Sequence, residues 1–261
     1  MAEKNNIRKT NDGNGSKYDE FLNRNSWQFG RPLQEFIAKR IISITLKLTN
    51  LDLNSITLIE FGSGHGHLGK AADQIGIRNY IGIEPNSALA AYSRSKLNNA
   101  NILEYALPFI GDELTGTADL AISTHVIEHA KDGYEARTWI EAMKRCLKKD
   151  GFLAIYCPDI KDYGNSFWDI DWSHAFPTTL NNVTQICLDL GLQPISSLRI
   201  RGATTNPLVR LFAYGICFLI PTRAIDYLSR KLVGRDLATG LKVALFYGNV
   251  YVVAKNTTKI R

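Results

Sequence analysis

Paired cysteines are missing from this chain. Its four (Cys146, Cys157, Cys187 and Cys217) stand far apart with no C-x-x-C among them. That spacing speaks against a zinc or disulfide framework and for a reducing, cytoplasmic setting. No apolar core of signal-peptide type opens the sequence, so export is not expected. Long hydrophobic runs are absent as well. The longest, Leu211–Pro221, is about half of the ~20 residues that a membrane span requires. Residues 1–17, rich in Asn, Lys, Gly and Ser, have almost nothing to bury and are expected to be a disordered lead-in.

The remainder has ordinary globular content. With 261 residues, 45% hydrophobic and 21% charged, it suffices for one good core, so residues 18–261 are expected to form a single domain. The net charge is +6, and its excess is local. Between Ser196 and Lys242, eight basic residues (Arg199, Arg201, Arg210, Arg223, Arg230, Lys231, Arg235, Lys242) face only Asp226 and Asp236. Two readings stay open: an anionic partner near that region, or a solvated helix face.

Periodicity organises the chain. Leu33, Phe36, Ile37, Ile41, Ile44 and Leu48 recur at helical spacing after Pro32, which predicts a helix over Pro32–Leu48. Short apolar runs predict strands at Ile56–Phe61, Tyr80–Glu84, Ile102–Leu103, Ala118–Ser123 and Phe152–Cys157. Between them Gly66–Ile75, Ser87–Leu97 and Tyr134–Leu147 read as helices, followed by Thr178–Leu190. Ser196–Arg201 and Phe246–Ala254 alternate like a last strand pair. The expectation is an α/β fold: a Rossmann-like, doubly wound, mostly parallel seven-stranded sheet. It has an antiparallel C-terminal edge strand and a helical insertion at about 203–243.

The densest chemistry lies in Glu60-Phe-Gly-Ser-Gly-His-Gly66. Gly62, Gly64 and Gly66 follow a strand and open a helix, where free N–H groups receive anions and a ligand can approach the backbone. The stretch also fits the dinucleotide pattern from Gly64 to Gly69. Glu60 weighs against that: an anion at the strand end repels a pyrophosphate but suits a ligand carrying an ammonium and a sulfonium. Glu84, twenty residues after Gly64, is placed to accept two ribose hydroxyls, as either ligand would require.

Four segments in order, Ile59–Gly66, Tyr80–Pro85, Asp119–His129 and Leu147–Ile155, resemble the successive motifs of class I S-adenosylmethionine-dependent methyltransferases. The likeness is to their small-molecule branch, ubiquinone and sugar O-methyltransferases included, and covers about Leu33–Leu192. It implies S-adenosylmethionine as cofactor and S-adenosylhomocysteine as product. It puts Glu60, Gly62, Ser63, Gly64 and Gly66 at the methionine end, Glu84 on the ribose, and Pro85 and Asn86 beside the adenine. Glu104 and Tyr105 stand where the family usually has an Asp. Ser123, Thr124 and His125 would line the channel near the methyl group.

Methyl transfer to an oxygen is an in-line displacement, in which the protein aligns the partners and removes a proton. His174, in a loop with Asp169, Asp171, Trp168 and Trp172, is the first candidate base, followed by His125 and His129. Asp171 would help orient the imidazole, and the tryptophans would stack on a ring such as a sugar. No metal is expected, since His125, Glu128 and His129 begin at a strand end rather than on a helix. The insertion would cover the acceptor, with Arg210 and Arg223 gripping an anionic group; packing on the sheet or on a second subunit, and contact with an anionic membrane surface, stay open. No nucleic-acid partner is expected, because Ser-Thr-His-Val replaces the base-reading motif after the fourth strand. The acceptor class favoured is a sugar, nucleotide-linked or phosphorylated small molecule of cell-surface glycan synthesis. A nicotinamide-dependent oxidoreductase and a non-catalytic nucleotide-binding protein are the alternatives.

Overall fold

A computed structural model describes residues 31–97, 101–201, 221–233, 238 and 247–257. The first predicted helix is α1 (Arg31–Thr49), whose Ala38, Ile41 and Ile42 are buried. Alternation then runs β1 (Thr57–Phe61), α2 (His67–Ile75), β2 (Asn79–Ile83), α3 (Ser87–Lys96) and β3 (Asn101–Leu103). It continues through β4 (Ala118–Thr124), α4 (Gly133–Arg145) and β5 (Leu147–Pro158). Two short helices, α5 (Ile160–Tyr163) and α6 (Ser166–Ile170), occupy what the sequence reads as a loop. The chain closes with α7 (Leu180–Asp189), β6 (Leu192–Arg201), α8 (Thr222–Val233) and β7 (Gly248–Asn256).

The seven strands form one sheet in the order β3-β2-β1-β4-β5-β7-β6. Pairs from β3 through β5 are parallel, while β7 runs antiparallel to both β5 and β6. The expected antiparallel C-terminal strand is thus present, slotted beside β6 at that margin. β5 begins earlier than predicted. Lys149-Asp-Gly lies inside the strand, where Asp150 takes a positive φ of 65° and the β4–β5 register shifts.

Central strands buried on both faces explain the continuous apolar runs in the sequence. One face packs Ile59, Phe61 and Ile155 against Ile140 and Met143 of α4 and Val183 of α7. The other packs Leu58, Leu120 and Ile122 against α1 and α2. Successive strands run outward in opposite directions from β1 and β4, so the crevice at their carboxyl ends is the switch point where ligands bind in such sheets.

Cys146, Cys157 and Cys187 are buried free thiols; Cys217 lies outside the described residues. So do residues 1–30, Arg210 and most of the insertion. Arg223 falls in α8, but its side chain is not among those described. No helix among the described residues is long and apolar enough to cross a membrane.

Candidate active site

The glycine turn is shaped by backbone demands. Gly62, Gly64 and Gly66 all have positive φ, at 75°, 49° and 77°, a region that side chains disfavour. Gly62 additionally abuts Val126, so a Cβ there would clash with the segment after β4. Gly64 is different. Space beside it is open, with only the Gly62 carbonyl oxygen 3.9 Å from a Cβ position, leaving room for a ligand against the backbone. The turn is tied to β2 by Gly62 and Ser63 N–H groups donating to the Ile83 carbonyl at 2.8 and 3.0 Å.

Glu84 sits directly over this turn. Its carboxylate accepts from Gly64 N–H at 2.8 Å and from Asn86 N–H at 3.0 Å. Burial pushes its pKa up, and those two hydrogen bonds offset part of the rise. Glu60 departs from the anion that the sequence suggests. It is buried at the end of β1, and the Tyr80 hydroxyl donates to it. Burial raises its pKa to about 8, partly offset by the Tyr80 hydrogen bond and reinforced by Glu84. At neutral pH the carboxyl is therefore largely protonated, and a cationic neighbour is what would ionise it.

The other expected cofactor residues divide. Ser63 lies against Gly82 of β2, with a buried hydroxyl that has no protein partner, as does Ser123. The Asn86 side chain caps α3, accepting from Ala88 and Leu89 N–H at 2.9 and 3.0 Å. Pro85 follows Glu84 in that same β2–α3 connection. Glu104 pairs with Arg94 at 2.9 Å and accepts from Ser87 Oγ at 2.6 Å. Tyr105 donates to Glu113 at 2.7 Å. Glu104 is thus tied to α3, and Tyr105 to the segment before β4.

After β4 the chain turns sharply. His125 takes φ 54°, a costly left-handed conformation for a residue with a side chain. Its N–H donates to Tyr156 at 2.8 Å, and its Nδ1 lies 3.1 Å from Glu128 Oε1. Residues Ile127–His129 form one 3₁₀ turn. Burial alone would raise the Glu128 pKa, but the His125 hydrogen bond and the fields of His125 and His129 hold it below the usual range.

The loop after β5 folds back onto that turn. Ala175 and Phe176 N–H both donate to the Glu128 carbonyl, at 2.9 and 3.0 Å. This brings His174 against His129, with ring centroids 4.9 Å apart. The His174 Nδ1 is 2.6 Å from the Phe167 carbonyl, and burial lowers its pKa. Asp171 does not reach the His174 ring as expected. Its carboxylate instead accepts from Ser173 Oγ at 2.6 Å, and Ser173 Oγ in turn contacts His129 Nδ1 at 2.9 Å. Sequence spacing could not reveal that relay, because the link runs through an unremarkable serine. Asp132 caps α4, accepting from Glu135 N–H at 2.9 Å. Asp169, Trp168 and Trp172 are exposed, and Thr124 pairs with Tyr156 at the end of β4.

The open glycine turn, with a carboxylate over it, fits an adenosyl ligand bearing a ribose, and comparisons agree. A family profile described as a methyltransferase domain matches residues 33–195, and the chain belongs to that family. The fold is also that of a methyltransferase from Archaeoglobus fulgidus described as S-adenosylmethionine-dependent. That likeness has TM-score 0.54 and 15% identity, covering 83% of this chain and 94% of the other. A putative methyltransferase of Haloferax volcanii, solved with the Trm112 methyltransferase activator, aligns at TM-score 0.65 and 14% identity over 94% and 98% of the two chains. Magnesium protoporphyrin IX methyltransferase from Synechocystis, with bound S-adenosylhomocysteine, gives 0.57 and 14% over 93% and 95%. No curated protein matches in sequence. S-adenosylmethionine is thus the cofactor of this methyltransferase, and it supplies the methyl group when bound.

Proposed function

We propose that the chain methylates an oxygen of an anionic small molecule or glycan. The observation that carries this reading is the imidazole pair at the mouth of β4. His174 is held through Nδ1 by the Phe167 carbonyl, and burial favours its neutral form. That tautomer leaves the Nε2 lone pair to take a hydroxyl proton, which is what an oxygen acceptor requires. Glu60, Gly62, Gly64 and Gly66 would receive the methionine portion, and Glu84 the ribose. Exposed Trp168 and Trp172 offer ring faces to a sugar. Arg210 and Arg223 would grip a phosphate or carboxylate on the acceptor, since a guanidinium can make two parallel hydrogen bonds to it.

An acceptor carried on a lipid would bring the protein to an anionic membrane face, for which α8 supplies an exposed apolar stripe. Incubation with labelled S-adenosylmethionine and panels of nucleotide-linked sugars, lipid-linked glycans and phosphorylated metabolites tests the reading. Label in an ether or ester oxygen of one panel supports it; label found only on nitrogen or carbon overturns it.

A further inference from the structure

We propose that Glu128, His129 and His174 form a binding site for a divalent transition-metal cation beside the methyl-acceptor cleft. Their ligand atoms all lie within 4.8 Å of one another, although His174 is 45 residues from His129 in the chain. Both segments are fixed relative to each other by the two N–H groups donated to the Glu128 carbonyl. The cluster is therefore built into the backbone, not assembled by loose surface side chains.

The tautomers of the two rings follow from their partners. The Phe167 carbonyl can only accept, so His174 carries its proton on Nδ1. The Ser173 hydroxyl donates to Asp171, so it accepts from His129 Nδ1, which must hold the proton of that ring. Each neutral imidazole then presents a lone pair at Nε2. Glu128 adds a third acceptor: its side chain is fully buried, and Oε2 has no hydrogen-bond partner. A buried carboxylate oxygen left unpaired is costly. A cation held by the three residues would give the Glu128 carboxylate its missing partner.

The donor set narrows the ion. Two imidazole nitrogens and one carboxylate oxygen suit zinc, cobalt, iron or manganese rather than calcium. Bonds of about 2.1 Å place ligand atoms roughly 3–3.5 Å apart, so the cluster must tighten. The half-buried His129 ring can turn to do so. Outer partners are also in place: ligating histidines usually donate their second N–H to a carbonyl or a carboxylate-linked group, as both rings do here. The cation's use in catalysis rests on the oxygen-methylation reading. In the cation-loaded protein the cation would acidify a coordinated acceptor hydroxyl, whose proton passes to water, and His174 would be a ligand; in the cation-free protein His174 would act as the base.

Binding is tested without reference to turnover. Chelator-stripped full-length protein is titrated with Zn²⁺ against a chromophoric chelator, and with Co²⁺ followed by visible absorption. Stoichiometric binding is expected, weakened roughly 100-fold or more in H129A, H174A and E128Q, and by about tenfold in S173A, which loses only an outer partner. E128Q keeps the shape of a buried side chain, and S-adenosylhomocysteine calorimetry on each variant establishes that it is folded. Absence of stoichiometric binding, equal affinity in the folded variants, or loss on replacing distant His67 alone overturns the site. Failure of S-adenosylhomocysteine to bind the parental protein would instead strike at the methyltransferase reading, leaving the cation result intact.

Discussion

At the scale of single residues, Glu60 is the clearest instance of burial changing what a letter in the sequence means. A glutamate after an apolar strand reads as an anion, but it lies inside the sheet and holds its proton to about pH 8. The sign of the consequence follows. Below about pH 4.5 the carboxyl is neutral in both folded and unfolded chains, and its contribution to stability is intact. As pH rises, the unfolded chain loses the proton first, so stability falls until the folded pKa is passed. Each unit of elevation is worth about 1.4 kcal/mol, and Glu84 drifts in the same direction. Glu60→Gln should therefore gain melting temperature relative to the parent between pH 5 and 9. Parallel pH profiles for the two proteins would show that the carboxyl is not titrating in that window. Glu84→Ala makes a second expectation: calorimetry should show a loss of roughly 1.5–3 kcal/mol in S-adenosylmethionine affinity, the size of hydrogen bonds to a charged group.

At the scale of elements, legibility tracked periodicity. The helix over Arg31–Thr49 and the strands β1, β2, β4 and β5 were readable because each buries a regular set of apolar positions. The stretch after β5 was not. Ile160–Tyr163 and Ser166–Ile170 are each about a turn long, too short to show a repeat, and Gly164 between them reads as a breaker. The candidate site shared this divide. The glycine turn and Glu84 could be found from spacing, whereas the Asp171–Ser173–His129 relay and the pairing of His129 with His174 depend on tertiary folding. Helix α4 offers a local test. Its N-cap is Asp132, whose carboxylate accepts from Glu135 N–H. Asp132→Ala should cost about 1 kcal/mol of stability, read by urea denaturation, with S-adenosylhomocysteine affinity unchanged. A change in that affinity would mean that the start of α4 also shapes the cofactor turn.

At the scale of the whole molecule, α8 inverts the usual arrangement of an amphipathic helix. Asp226 and Ser229 are buried, whereas Ile225, Leu228 and Leu232 are exposed, Leu232 to 82%. Those three share one face by the i, i+3, i+7 rule. Tyr227 is exposed too, and Lys231 lies 4.5 Å above its ring. Arg230 and Lys231 stand in the same turn as Leu232, inside the segment that carries the chain's excess positive charge. Apolar side chains flanked by cations are suited to an anionic lipid surface, where acyl chains take the former and headgroups the latter. The protein should therefore sediment with vesicles containing phosphatidylserine and not with purely phosphatidylcholine vesicles, and salt should weaken the association. Leu232→Ser should weaken it about tenfold or more, since full burial of a leucine is worth roughly 1.5–3 kcal/mol. Equal sedimentation with both vesicle types would remove the electrostatic part. A stripe that serves two copies of the chain would give another pattern: no vesicle binding, and a dimer in light scattering that Leu232→Ser converts to monomer.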